Sequence, residues 1–128
     1  MRLLGGFSLI ELLVVLVVLG ILFTIGLFSV VGVRGRAYDA VVQTYLREAV
    51  AHQFAYALEH GDYAADPGDL VAEGLRSVPG IELRILEGGA SFCMLARHLR
   101  GRYWFAATPR GLFNTGRGAG EPPPADCP

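Results

Sequence analysis

Leu12 to Val33 reads LLVVLVVLGILFTIGLFSVVGV, 22 residues without a charged side chain. As a helix rising about 1.5 Å per residue it spans about 33 Å, enough for a hydrocarbon core of about 30 Å. A core helix of a water-soluble domain keeps a polar stripe, and this one has none over six turns. A cleaved secretory signal would be shorter and end in a small-residue cleavage site, but the GVRGRAYDA that follows has no A-x-A. The stretch therefore reads as a retained transmembrane helix. It also explains a mean hydropathy of +0.42 in a chain of 128 residues, since the remainder has the composition of one small domain.

Ahead of the apolar run stands MRLLGG, a short basic leader, followed by FSLIE, which puts Glu11 inside the apolar stretch. A lone carboxylate at membrane depth costs roughly 2.5–3.5 kcal/mol, and no basic residue lies in the same segment to offset it. Either Glu11 sits hydrated at the interface, or its partner comes from elsewhere. Arg2 on one side and Arg34 and Arg36 on the other nearly balance, so charge alone sets no orientation.

The stretch Gly6-Phe7-Ser8-Leu9-Ile10-Glu11-Leu12 and the apolar helix after it resemble the processing signal of bacterial type IV pilins and pseudopilins. The resemblance is specific over about residues 1–35. It implies that prepilin peptidase cuts between Gly6 and Phe7 and that Phe7 is then N-methylated. It also implies that the freed amine of one subunit is neutralised by Glu11 of its neighbour. A carboxylate and an ammonium in a low-dielectric bundle attract strongly, so a charge that only a second copy can satisfy sets the register of an assembly. The six-residue leader and the Phe at the cut resemble the type IVa branch. One departure is that many such pilins carry a Pro near the position of Phe28. Gly20 matches the family's helix glycine, and with Gly26 it marks where the helix is expected to stretch; close helix packing is the other use of such glycines.

Beyond Val33 the row Val42, Leu46, Val50, Phe54, Leu58, flanked by Tyr45, Ala49 and Tyr56, predicts an amphipathic continuation whose apolar side is core. Asp39, Gln43, Arg47, Glu48 and Glu59 are expected on the opposite, solvated side, and Gly61 after His60 is the stop signal. Asp66 and Pro67 predict the start of a short helix. Strands are expected at 81–86, 91–99 and 102–108, with a short fourth between Pro109 and Asn114, joined by Gly turns into an antiparallel meander. The fold class is thus α+β: a long N-terminal helix, transmembrane then amphipathic, packed on a three- to four-stranded antiparallel head. The expected organisation is a leader at 1–6, a filament-core helix at 7–33, its continuation at 34–60 and the head at 61–128. FCMLARH and YWFAATPRG resemble the heads of some pilins of thermophilic bacteria.

Cys93 and Cys127 would close a loop of about 35 residues, worth roughly 3–4 kcal/mol as a disulfide. The alternative is two reduced thiols in a cytosolic protein; an anchored head on the far side of a membrane favours the oxidised pair, which resembles the family's C-terminal disulfide loop. His52, His60 and His98 form no zinc spacing, and Gly116 to Gly120 precedes prolines rather than a helix, so no metal, cofactor or catalytic role is expected. All 11 basic residues are arginines. Residues 34–89 are net −4 and residues 90–128 net +3. Arg97, Arg100, Arg102 and Arg110, beside Tyr103 and Trp104, are read as contacts between subunits or solvated charge, with a DNA-contacting stripe as the sharper alternative.

The resemblance implies a type IVa pilus subunit. Its precursor would sit in the inner membrane, and the polymer would cross periplasm and outer membrane to support twitching motility, adhesion or DNA uptake. Implied partners are further copies of the chain, prepilin peptidase, the inner-membrane assembly platform and the extension and retraction ATPases. The runner-up is a pseudopilin or minor pilin of a type II secretion or competence machine. A plain single-span protein with a small binding head is the alternative of a different class.

Overall fold

The computed structural model describes residues 6–128, except for the side chains of residues 28–31. The leader expected at 1–6 therefore lies outside the described residues up to position 5, as does the side chain of Phe28. The chain divides into two compact units, Met1–Val33 and Arg34–Pro128. One helix, α1 (Leu9–His60), contributes to both.

In the first unit every described residue from Gly6 to Val33 is exposed, and large apolar side chains face outward in all directions. No other element of this unit covers them. A helix apolar all round and uncovered needs lipid or other helices as its solvent. Among the described residues it is the one helix long and apolar enough to cross a membrane.

The second unit is built on the last seven turns of α1. Gly61 adopts φ +85°, a left-handed conformation open to glycine, and its N–H bonds Ala57 O at 2.8 Å, closing the helix after His60. Asp66 caps α2 (Pro67–Ala72) by accepting the Gly68 N–H at 3.0 Å, with Pro67 at the first helical position. Four strands follow, β1 (Ile81–Glu87), β2 (Cys93–His98), β3 (Tyr103–Thr108) and β4 (Gly111–Gly118), each paired antiparallel with the next. The fourth strand extends past the expected Asn114 because its pairing with β3, after a register shift, resumes at Tyr103↔Gly118.

One face of the sheet packs on the helix. Val42, Leu46 and Ala49 of α1 meet Phe92, Met94, Ala96 and Ala107, all essentially inaccessible to water. Burying a side chain such as Leu46 or Met94 stabilises by about 1.5–3 kcal/mol. The apolar row does not stay in the core along its expected length. Phe54 is 45% exposed and Leu58 88% exposed, while Gln53 is fully buried. A straight row at i+4 steps drifts around a helix of 3.6 residues per turn, so the buried track shifts to Val42, Leu46, Ala49, Gln53. The buried amide is satisfied: Gln53 donates to Ala64 O (3.1 Å) and accepts from Ala64 N–H (2.9 Å).

The other face of the sheet is also apolar, since Cys93, Leu95, Trp104 and Ala106 are buried there. A sheet with two apolar faces must be covered twice. The C-terminal segment does so: Trp104 Nε1 donates to Glu121 O at 2.9 Å, Ala119 N–H to Arg102 O at 3.0 Å, and Arg97 to Ala119 O. Cys127 is bonded to Cys93 as a disulfide, with Cα atoms 6.2 Å apart. The tail is thus the third layer of the head.

Candidate functional site

Gly6, Phe7 and Ser8 precede the first turn of α1 in non-helical backbone, and all three are exposed. A Cβ built on Gly6 would meet nothing within 4 Å, so this fold has no steric need for glycine there. Ser8 caps the helix. Its Oγ accepts the Glu11 N–H at 3.3 Å, and Glu11 Oε2 accepts the Ser8 N–H at 3.2 Å. This reciprocal capping box satisfies two donors that a helix N-terminus otherwise leaves open and holds the carboxylate at the positive end of the helix dipole. The spacing Ser8-x-x-Glu11 is legible in the sequence, where Glu11 is expected to be hydrated at the interface or paired with a neighbour's amine; the structure adds its role as a cap. Further along, Thr24 Oγ1 donates to Gly20 O at 2.8 Å, and α1 runs unbroken through Gly20 and Gly26.

The structure divides the four arginines of the expected stripe. Arg97 turns onto the sheet: its guanidinium lies 4.8 Å from the Trp104 ring centroid, and Nη2 is 2.7 Å from Glu82 Oε2. The cause is pairing register, which places Glu82 directly across from Arg97. Its role is internal. Arg110 lies at the β3–β4 turn, its backbone N–H bonded to Thr108 Oγ1 at 3.2 Å. Arg100 and Arg102 belong to the β2–β3 turn and are exposed.

That turn is fixed by Asp39, expected on the solvated side of the helix but only 7% exposed. Asp39 Oδ1 accepts the Arg102 N–H at 2.8 Å. Gly101 permits the approach, since a Cβ there would stand 2.9 Å from the same oxygen. The Arg102 side chain then crosses Gly35, where an added Cβ would meet its Cγ at 2.8 Å, and its Cζ lies 5.2 Å from the Tyr103 ring centroid. The result is a cleft of about 440 Å³ between α1 and the sheet, lined by Arg36, Gln43, Arg47, Arg102, Phe113 and Asn114 among others.

Glu82 also accepts from Arg84 Nε at 2.8 Å. The hydrogen bonds from Arg84 first and Arg97 second hold its carboxyl below the ordinary value of 4.5. A folded value below the unfolded one means that ionised Glu82 stabilises the head fully above the unfolded value. The contribution is lost as pH falls through 4.5 and then through the depressed folded value. Glu82→Gln should therefore cost about 1 kcal/mol at neutral pH and almost nothing near pH 3, in melts of the detergent-solubilised chain. An equal loss at both pH values would show that packing, not charge, sets the contribution of Glu82.

A fully exposed apolar helix, opened by a Ser-Glu capping box and continuous in sequence with an antiparallel sheet head, describes a class of proteins whose N-terminal helix must be covered by lipid or by other helices. The prokaryotic N-terminal methylation motif matches residues 1–27. Over 131 aligned positions, covering 100% of both chains, the protein is 37% identical to the type IV wide pilus major component PilA4 of Thermus thermophilus. The chain belongs to the type IV pilin family, and the resemblance to pilins of thermophilic bacteria is borne out.

Proposed function

We propose that the chain is the main structural subunit of a type IV pilus, made as a precursor held in the inner membrane by residues 7–33. The observation that carries this reading is identity along the entire length with a major pilus component, which favours a main subunit over a pseudopilin or minor pilin. Prepilin peptidase cuts between Gly6 and Phe7 and the new amine is methylated. The exposed, non-helical backbone at the junction supports this, and the glycine that the fold does not need fits a demand made by the peptidase.

In the filament, Glu11 leaves its contact with Ser8 for the Phe7 amine of a neighbouring copy. Its capping box keeps the carboxylate hydrogen-bonded until then. Gly20 and Gly26 are where α1 lengthens, and the Thr24 hydroxyl gives the Gly20 carbonyl a partner if the helical bond there opens. The head, residues 34–128, forms the outer wall. The role is structural rather than catalytic. The assembly platform and the extension and retraction ATPases act on the membrane-held and filament forms, and the filament crosses the outer membrane to serve motility, adhesion or DNA uptake.

Mass spectrometry of sheared fibres tests the core of this reading. The expected result is a principal fibre protein that begins with methylated Phe7 and lacks MRLLGG. A chain that keeps MRLLGG and stays in the membrane fraction would instead identify a plain single-span protein.

A further inference from the structure

The second unit separates its charge along α1. Its N-terminal turns and the β2–β3 turn carry Arg34, Arg36, Arg47, Arg100 and Arg102, against Asp39, which accepts the Arg102 N–H, and Glu48, which pairs with Arg76. From Glu59 to Glu73 the chain carries five carboxylates and no arginine. At about 1.5 Å per residue, Glu59 stands roughly 18 Å beyond Arg47 and 34 Å beyond Arg36. The two ends of this acidic segment meet in space. Oxygen atoms of Glu59 and Glu73, from different elements, lie within 4.8 Å of each other and of a His60 ring nitrogen.

The head neutralises other arginines internally. Arg97 and Arg84 both reach Glu82, and Arg76 reaches Glu48 at 3.2 Å. Among the described residues, no carboxylate forms a salt bridge with Arg36, Arg47 or Arg102. These three are nonetheless gathered in one concave site, with Arg102 led there by Asp39 and by the bare backbone at Gly35. Three guanidiniums share the cleft with the single carboxylate of Asp39, which forms a salt bridge with none of them, so the site keeps a net positive charge that something outside the head can answer.

We propose that this cleft receives the acidic segment of a second copy, so that Arg36, Arg47 and Arg102 of one head meet Glu59, Asp62 and Glu73 of another. The inference rests on the filament reading, in which parallel copies are staggered along a common axis. The C-terminal end of one head is then presented to the N-terminal end of another. Complementary charge at the two ends gives every copy one donor face and one acceptor face, the arrangement of a heterologous contact that propagates without closing. It steers association and penalises wrong registers, because like ends that meet repel. Duplex DNA is the rival anion. It fits less well: Arg97 and Arg110 are not gathered with the cleft, and the acidic end of the same head would repel phosphate.

The test is a reciprocal charge swap in the full-length chain, scored as fibre in the sheared fraction. R36E/R47E and E59R/D62R should each lower fibre yield at least about tenfold. The neutral pair R36Q/R47Q should fall between these and wild type. In all of them, processed chain in the membrane and protease resistance of the head should stay at wild-type levels. The quadruple variant R36E/R47E/E59R/D62R restores opposite signs across the contact and should recover most of the fibre. Wild-type fibre yield in R36E/R47E, or a quadruple variant no better than either pair, would overturn the proposal. So would R36E/R47E fibres made in normal amount that no longer retain duplex DNA, which would assign the cleft to nucleic acid. If the wild-type chain itself keeps MRLLGG and makes no fibre, the filament reading fails, and this proposal with it.

Discussion

Replacing Glu11 by alanine should leave the chain inserted and cut after Gly6 but abolish the filament. Removing a carboxylate from hydrocarbon relieves roughly 2.5–3.5 kcal/mol on the insertion scale. Loss of the capping box returns about 1 kcal/mol of that, because the Ser8 N–H loses its acceptor. Monomer in the membrane should therefore be normal or slightly raised. Assembly is another matter. Each incoming methylated amine would enter the helix bundle unpaired, at about 3–5 kcal/mol per subunit, a penalty repeated along the filament. Glu11→Gln separates the two roles of the side chain. The amide oxygen can still accept the Ser8 N–H, so the cap survives, but the charge is gone. If the charge is the assembly contact, the glutamine variant fails as the alanine variant does. Fibres at wild-type yield from the glutamine variant would reduce Glu11 to a helix cap. The readout is processed monomer in the membrane fraction set against fibre in the sheared fraction.

The fold was legible where local signals are strong. An uncharged run long enough to span a bilayer, a glycine after His60, and Asp66-Pro67 each act within a few residues, and each element starts or stops where those signals stand. In the strand expected at 81–86, the alternate apolar residues Ile81, Leu83 and Ile85 pack against the core. What escaped depends on partners distant in sequence. Asp39 looks solvated on a helical projection, and only the β2–β3 turn, 63 residues away, buries it. Arg97 looks like part of a basic stripe until strand register sets Glu82 across from it. Phe54 and Leu58 fit an apolar row, but a row at i+4 steps drifts off the buried track, which passes through Gln53 instead. For the candidate sites, the Gly6–Phe7 junction and Glu11 were visible as a motif. The arginine cleft was not, because Arg36 and Arg47 come from the helix, Arg102 from a turn and Asn114 from an edge strand.

The tail shows how these layers combine, and removing the disulfide should have the second-largest effect. Cys93 is buried on the outer face of the sheet, in the strand that also supplies Leu95. Up to Pro122 the tail has other ties, namely Trp104 to Glu121 O, Arg97 to Ala119 O and Arg117 to Pro122 O at 3.4 Å. Beyond Pro122 the disulfide is the covalent tie. A bond closing a sequence separation of 34 residues lowers the entropy of the unfolded chain by an amount worth about 3–4 kcal/mol. Cys127→Ser removes that contribution with little change in volume at a half-buried position, whereas Cys93→Ala also opens a small void in β2. Insertion and cleavage should be untouched in both, since they depend on residues 1–33. The head should become protease-sensitive first between Pro122 and Pro128, and fibre yield should fall, more in Cys93→Ala than in Cys127→Ser. The disulfide is the cause if growth under reducing conditions reproduces the Cys127→Ser phenotype in the wild-type chain. Unchanged protease resistance and normal fibre in both variants would mean that Trp104 and Arg97 hold the third layer without it.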